Sequence, residues 1–146
     1  MKTKELSEKD IANEAVRFIE TLAPEQSATV IGLHGDLGAG KTTFTQGLAR
    51  ALGIKESVTS PTFVIMKTYT LPKGDIHFSH LIHIDAYRLE SGDELRKLGW
   101  ETLLKDPHNL IVVEWADRIE NILPRNTKRI RLDVSGETTR VFSYEN

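Results

Sequence analysis

Apolar residues follow two kinds of spacing along the chain and predict an alternation of buried strands and helices. Residues 29–33 form an apolar run that is typical of a buried strand, and the apolar residues after Lys41 recur at helical intervals as far as Gly53. A second apolar run, residues 110–114, has the composition of a central parallel strand. The two runs predict the parallel core of a sheet.

The N-terminal part of the chain predicts an amphipathic helix. Residues 7–10 match a capping box, and Pro24 ends the helical pattern. The apolar residues between them fall on one helical face and are Ile11, Ala15, Phe18, Ile19 and Leu22. We expect this face to cover the sheet.

Two other regions predict antiparallel strand pairs. Residues 63–69 and 81–85 flank a turn at residues 71–75, and this arrangement predicts a hairpin. Residues 130–134 and 140–144 alternate apolar and polar side chains around a glycine-containing turn, as half-exposed strands do.

Short helices are expected on both sides of the 110–114 strand. Residues 91–94 match a second capping box, and residues 117–123 precede Pro124, which ends a helix. The whole pattern predicts an α/β fold of three layers, in which a mixed sheet with a parallel core and antiparallel strands is flanked by helices.

Length and composition limit the number of domains and the kinds of partner. A chain of 146 residues, 39% of them hydrophobic, fits a single domain over residues 1–146. A net charge of −2 without a long basic run gives no reason to expect tight nucleic-acid binding, although indirect contact through a partner stays open. The lack of cysteine excludes disulfides and thiolate metal sites. No apolar segment has the length of a signal peptide or a membrane span, so we expect a cytoplasmic protein without membrane contact.

The most specific motif is a glycine-rich loop between the first strand and the helix that follows it. Residues 35–42 have the spacing G-x-x-x-x-G-K-[ST] of a P-loop, in which Lys41 reaches the β- and γ-phosphates and the Thr42 hydroxyl holds Mg²⁺. A glycine-rich turn before an ordinary helix is the alternative. The candidate ATP-binding residues are Gly35, Asp36, Leu37, Gly38, Ala39, Gly40, Lys41, Thr42 and Thr43.

Two carboxylates end predicted strands and are candidates for the rest of a phosphate site. Asp85 follows one strand and Glu114 follows another. In open α/β sheets the carboxyl ends of parallel strands line the ligand crevice, so both side chains are expected near the phosphates. One carboxylate would complete the metal shell and the other would orient an attacking water or hydroxyl, and the pattern does not assign the two roles.

A loop of small hydroxyl residues, Thr59, Ser60 and Thr62, follows the P-loop helix. In nucleotide switches a loop at this place senses the γ-phosphate, whereas Pro61 also fits a merely rigid turn. Arg88 is a candidate for a catalytic arginine, and a solvated or partner-facing role is the alternative. The absence of an Asn-Lys-x-Asp sequence favours adenine over guanine, and the first turn of the N-terminal helix is a further candidate for contact with the base.

Three histidines, His77, His80 and His83, suggest a metal site at first inspection. Their spacing of three places neighbours on opposite faces of a strand, and the outer two would lie about 20 Å apart. This geometry, without cysteine partners, argues against zinc.

Four motifs in this order resemble the TsaE family. They are residues 35–43, 60–63, 83–89 and 113–117. TsaE is the bacterial ATPase of the machinery that makes threonylcarbamoyladenosine in tRNA. The resemblance implies a small P-loop NTPase fold, ATP and Mg²⁺ as cofactors, and activity mainly with TsaD-like and TsaB-like partners, so that tRNA is contacted indirectly.

The resemblance also implies roles for individual residues. Lys41 would bind phosphate, Thr42 and Glu114 would hold Mg²⁺, the loop from Thr59 to Thr62 would act as a switch, and Asp85 would be essential for hydrolysis. The partner-facing candidates at matching motif positions are Tyr87, Arg88 and Trp115, and a packed core aromatic is the alternative for Trp115.

Three hypotheses of function follow. The main one is an ATP-hydrolysing accessory protein for tRNA modification that acts with a TsaD/TsaB complex. The alternatives are a small-molecule kinase and a nucleotide-dependent docking module that does not need hydrolysis. Residues 124–146 match no motif, so their role, including a place near the base, stays open.

Overall fold

A mixed β-sheet forms the centre of the structure, a computed structural model that describes residues 2–36, 38–74 and 76–145. Within these residues the sheet has seven strands in the order β1-β7-β6-β2-β5-β4-β3. The strands are β1 Lys2–Ser7, β2 Thr29–His34, β3 Met66–Thr70, β4 His80–Asp85, β5 Asn109–Glu114, β6 Lys128–Val134 and β7 Thr139–Glu145.

Four helices and two 3₁₀ segments cover the two faces of the described sheet. The helices are α1 Ile11–Glu20, α2 Lys41–Ala51, α3 Gly92–Arg96 and α4 Trp100–Lys105, and the 3₁₀ segments are Glu8–Asp10 and Ala116–Ile122. Side chains of α1 and α2 form one core with one face of the sheet, while α3, α4 and the 3₁₀ segment Ala116–Ile122 form a second core on the other face. The predicted three-layer α/β arrangement is therefore confirmed.

The parallel part of the sheet consists of β6, β2, β5 and β4. Strand β2 pairs in parallel with both β5 and β6, and β5 also pairs in parallel with β4. Strands β2 and β5 are almost entirely buried, as their apolar composition predicts for strands covered on both faces. The antiparallel pairs β3–β4 and β6–β7 are also confirmed.

The hairpin strand predicted at residues 63–69 begins three residues later, at Met66. The Pro61 carbonyl oxygen accepts hydrogen bonds from the backbone N–H groups of Val64 and Ile65, so this segment turns before the strand starts. Ile65 has a φ of 70°, which is strained for a β-branched residue. Phe63 and Val64 are consequently 82% and 67% exposed at the tip of the turn.

The structure corrects two details at the N-terminus. Strand β1 was not predicted, because residues 2–7 are mostly polar and exposed, and only pairing with β7 makes them a strand. The capping box at residues 7–10 is wrong in its geometry: the Ser7 hydroxyl donates to the Asp10 carboxylate at 2.8 Å and caps no backbone N–H group.

The second capping box is also wrong in its geometry. Ser91 makes no side-chain cap hydrogen bond, and the Glu94 carboxylate accepts from the backbone N–H of Glu90 instead.

In the described part of the chain, no helix is long and apolar enough to cross a bilayer.

Candidate functional site

A cavity of about 400 Å³ opens at the carboxyl ends of β2, β4 and β5. The parallel register explains its position, because Glu114 lies beside both Leu33 of β2 and Asp85 of β4. Three of the sequence motifs therefore end at one edge of the sheet. The residues that line the cavity are Asp36, Gly38, Gly40, Lys41, Thr42, Thr43, Ser60, Thr62, Asp85, Tyr87, Glu114 and Trp115.

The glycine-rich loop joins β2 to α2 and forms one wall of the cavity. Gly35, Gly38 and Gly40 all have positive φ values, of 135°, 81° and 109°. A Cβ atom on Gly35 would meet the Leu132 carbonyl oxygen at 2.0 Å, whereas one on Gly38 would meet nothing within 4 Å. The loop therefore packs against β6 at its start and faces open space at its centre.

The remaining predicted loop residues lie in different surroundings. Ala39 is buried in the core beneath the loop, and Leu37 lies outside the described residues. The C-terminal region supports the loop from behind, since an Arg140 guanidinium nitrogen lies 3.4 Å from the Gly38 carbonyl oxygen and 3.3 Å from the Glu8 carboxylate. Sequence reasoning missed this contact because residues 124–146 match no motif.

Helix α2 begins at Lys41 and points its N-terminus at the cavity. The first backbone N–H groups of a helix have no partner within it, and the helix dipole places partial positive charge there. These groups and the open loop give this wall of the cavity the character of an anion site.

The Lys41 side chain folds back over the glycine-rich loop. Its Nζ donates to the carbonyl oxygens of Gly35 and Asp36, at 2.5 and 3.2 Å, and lies 4.0 Å from the centre of the Trp115 ring. Burial lowers the pKa of this amine, and the negative charge of Glu114 and of other nearby carboxylates partly opposes that effect. The partners of this cation are two neutral carbonyl oxygens and an aromatic ring, and an anion such as phosphate could replace them.

Glu114 joins the helix start to the strand ends. The Thr42 hydroxyl donates to Oε1 of Glu114 at 3.1 Å, and Nε2 of His83 lies 2.5 Å from Oε2. The Glu114 carboxylate is almost completely buried. A hydroxyl and a carboxylate oxygen held together in this way are the donors that Mg²⁺ prefers, so these two side chains fit that ion.

Asp85 lies at the centre of a second hydrogen-bond group. The hydroxyls of Ser60 and Thr62 both donate to its Oδ2, at 2.7 and 2.8 Å, and the backbone N–H of Tyr87 donates to Oδ1 at 2.9 Å. The structure thus brings two members of the predicted switch loop to the predicted catalytic carboxylate. The third member, Thr59, is exposed and does not line the cavity.

Aromatic and cationic side chains surround the mouth of the cavity. Tyr87 is 48% exposed, its ring lies 5.1 Å from the Trp115 ring, and the Arg118 guanidinium lies 5.5 Å from the Tyr87 ring centre. Trp115 lines the cavity and also packs against the second core, so it shares features of both predicted roles. Arg88 does not line the cavity, and its guanidinium instead lies 4.4 Å from the ring centre of Phe63.

His83 stands in the 83–89 motif and is a candidate metal ligand by residue type, but the sequence predicts no role for it in this site. It lies two residues before Asp85 on β4, so both side chains share a face of the sheet. The two-residue spacing between His83 and Asp85 indicates that they share a face. It does not predict the contact of His83 with Glu114, because that contact depends on the register between β4 and β5, which the sequence does not specify. His77 lies elsewhere, with its ring 5.1 Å from that of His108.

Comparisons with known proteins agree on one family. The family model described as "Threonylcarbamoyl adenosine biosynthesis protein TsaE" matches residues 6–142. The TsaE protein of Bacillus subtilis is 40% identical over 127 residues, which cover 85% of this chain and 73% of the relative. That of Rickettsia bellii is 35% identical over 141 residues, which cover 96% of this chain and 91% of the relative.

A solved structure agrees with these sequence matches. The crystal structure of Bacillus subtilis YdiB superposes with a TM-score of 0.74 at 31% identity, and the match covers 98% of this chain and 84% of that one. Since the family model spans nearly the whole sequence and several relatives match most of it, the chain belongs to the TsaE family of threonylcarbamoyl adenosine biosynthesis proteins.

Proposed function

We propose that the chain binds ATP with Mg²⁺ in this cavity and hydrolyses it as an accessory protein of tRNA threonylcarbamoyladenosine synthesis. One observation carries the proposal: Lys41, Thr42, Glu114 and Asp85, which come from three separate motifs, line one cavity at the start of α2. A cation, two oxygen donors for a metal and a further carboxylate are the groups that phosphoryl transfer requires.

The glycine-rich loop and the start of α2 would hold the triphosphate. Residues of the loop and of the first turn of α2 line the cavity, and Lys41 would leave the carbonyl oxygens of Gly35 and Asp36 to meet the β- and γ-phosphates. Charged phosphate oxygens are stronger acceptors than these two carbonyl groups. Binding of a triphosphate would therefore straighten the lysine side chain away from Trp115.

Thr42 and Glu114 would hold the metal ion through their neighbouring oxygens. When bound, Mg²⁺ would neutralise charge on the phosphate oxygens. Asp85 would orient the attacking water and accept its proton, since its carboxylate lines the same cavity and three hydrogen bonds fix its direction.

The hydroxyl loop would report the state of the nucleotide to the surface. Ser60 and Thr62 contact Asp85 on the cavity side, and the same turn exposes Phe63 and Val64 on the outside. Any movement of the loop towards a γ-phosphate would thus move two exposed apolar side chains. This connection between the cavity and the exposed side of the turn favours nucleotide-dependent docking as a second function. Docking and hydrolysis can act in one cycle.

The partner surface would consist of the exposed residues around the cavity mouth. The Phe63 ring lies against Arg88 and the Tyr87 ring against Trp115, and the two pairs are connected through the consecutive residues Tyr87 and Arg88. Aromatic side chains and arginine are enriched where proteins bind one another. We infer that TsaD-like and TsaB-like proteins bind this surface and that tRNA is reached through them. No feature of the described residues specifically favours the small-molecule kinase alternative.

The proposal is tested by measuring ATP turnover with and without the TsaD-like and TsaB-like proteins. Wild type should turn over ATP faster with the partners, Lys41→Ala should bind nucleotide more weakly, and Asp85→Asn should bind ATP but hydrolyse it about 10²–10⁴-fold more slowly. Equal turnover by all three proteins would contradict hydrolysis at this site. Failure of the wild type to bind ATP would contradict the whole proposal.

A further inference from the structure

His83 is completely buried on β4, at 0% exposure, and contacts the carboxylate that we assign to the metal. Its Nε2 lies 2.5 Å from Oε2 of Glu114, while Oε1 of the same carboxylate accepts from the Thr42 hydroxyl. Each oxygen of Glu114 therefore has a different side-chain partner. The histidine holds one oxygen, and the other faces the start of α2.

The surroundings of the imidazole decide which nitrogen carries the proton. Nε2 is the ring nitrogen at hydrogen-bond distance from Oε2, and the contact that we infer is donation from the Nε2–H group to the carboxylate. Among the described residues, Nδ1 of His83 is buried without a hydrogen-bond partner. A buried N–H without an acceptor is costly, so a proton on Nε2, which donates to Glu114, is favoured over a proton on Nδ1.

The contact restricts the rotation of the Glu114 carboxylate. Without a donor at the His83 position, Oε2 would be a buried oxygen without a partner, and the carboxylate would gain by turning to share Thr42 or another donor. Either movement would take Oε1 out of the position beside the Thr42 hydroxyl. Residues that hold a ligand side chain in this way commonly change metal affinity by about 10–100-fold when they are replaced.

We propose that His83 is a positioning residue, which fixes Glu114 so that Oε1 stays available to the metal ion beside Thr42. The inference rests on the proposed Mg²⁺–nucleotide site and goes beyond it, because it assigns the metal affinity of that site partly to a residue that would not touch the metal. It predicts an effect on Mg²⁺-dependent binding that is separate from an effect on nucleotide binding itself.

The test compares binding of a fluorescent non-hydrolysable ATP analogue by wild type, His83→Leu and His83→Gln, each with Mg²⁺ and with EDTA. His83→Leu replaces the imidazole with an apolar side chain of similar size that has no donor. His83→Gln supplies an amide N–H group at a similar distance from the backbone. Ile82→Val, in the neighbouring buried position of β4, is the control for a general loss of packing. Thermal unfolding of each variant shows whether it is folded.

We expect the Mg²⁺ concentration for half-maximal binding to rise about 10–100-fold in His83→Leu, while affinity in EDTA changes less than about twofold. His83→Gln should recover most of this loss, and Ile82→Val should behave as wild type. An equal loss with Mg²⁺ and with EDTA in a folded His83→Leu variant would overturn the inference. If wild type binds the analogue equally well with and without Mg²⁺, the proposed metal site itself is contradicted. This outcome is distinct from one that contradicts only the role of His83.

A second measurement needs no folded leucine variant. In wild type with ¹⁵N-labelled histidine, NMR should show the His83 ring protonated on Nε2, with the signal assigned by its absence in His83→Gln. A ring protonated on Nδ1 alone could not donate to Glu114 and would overturn the inference.

Discussion

The Thr42 hydroxyl lies 3.1 Å from Oε1 of Glu114, although 72 residues separate the two in the chain. Thr42 is in the first turn of α2, and Glu114 is the last residue of β5. They meet because β2, which leads into the glycine-rich loop, pairs in parallel with β5. This contact joins the anion wall of the cavity to its carboxylate wall and defines the place that we assign to the metal.

The first prediction concerns the pH dependence of nucleotide binding. Burial lowers the pKa of Lys41, so in the free protein its amine loses the proton at a lower pH than an ordinary lysine. Phosphate favours the protonated amine, so nucleotide affinity should fall as the pH rises through that lowered pKa. Binding titrations in EDTA over the alkaline range measure this fall.

Lys41→Arg and Lys41→Met are the controls for this dependence. Arginine keeps its charge over the whole range, so the affinity of Lys41→Arg should not fall there. Lys41→Met should bind more weakly at every pH, by about 1.5–3 kcal/mol for a lost hydrogen bond to a charged group, and should show no alkaline fall. An alkaline fall of the same size in Lys41→Met would show that another group causes it.

The second prediction separates two glycines of the same loop. Gly35→Ala should lower the free energy of unfolding by more than the about 1–3 kcal/mol of backbone strain, because its Cβ would also clash with the Leu132 carbonyl oxygen. Gly38→Ala should cost only about 1–2 kcal/mol, since its Cβ meets no other atom. Chemical denaturation of both variants measures the difference, and equal losses would contradict it.

The third prediction concerns the hydroxyl loop. Combined Ser60→Ala and Thr62→Val substitution removes both hydroxyl contacts to the Asp85 carboxylate, each worth about 1.5–3 kcal/mol. The turn should then open more often, and hydrogen exchange should be faster at the amides of Val64 and Ile65, which are bonded to Pro61. Ser135→Ala, which removes an exposed hydroxyl contact on another turn, should leave these amides unchanged.

The fourth prediction concerns the exposed partner surface. Phe63→Ser should weaken association with the TsaD-like and TsaB-like proteins by about 1 kcal/mol or more if the ring is an anchor. The unfolding free energy should change by less than about 0.5 kcal/mol, because the ring is mostly exposed. Nucleotide affinity without partners should stay at the wild-type value. Unchanged association would place the partner surface elsewhere.

Local patterns in the sequence predicted the parts of the fold that depend on neighbouring residues. The apolar runs of β2 and β5 and the alternation in β6 and β7 were sufficient, because burial on both faces or on one face leaves a direct pattern. Strand β1 could not be found in this way, since its polar residues become a strand only by pairing with β7. The turn before β3 was missed because Phe63 and Val64 are apolar yet exposed.

The candidate site likewise contains residues that the sequence predicted and contacts that it did not predict. Asp85 and Glu114 were predicted at strand ends, and the structure places both in the cavity. The contact of His83 with Glu114 and that of Arg140 with the glycine-rich loop depend on pairing between distant strands, and nothing in the order of the residues specifies that register.

A crystal structure of the wild-type chain with Mg²⁺ and a non-hydrolysable ATP analogue tests the proposed nucleotide site directly. We expect the γ-phosphate beside Nζ of Lys41, with the metal ion held by the Thr42 hydroxyl and Glu114 and the Asp85 carboxylate facing the γ-phosphate. A nucleotide bound outside the cavity at the start of α2, or a metal ion bound without Thr42 and Glu114, would contradict it.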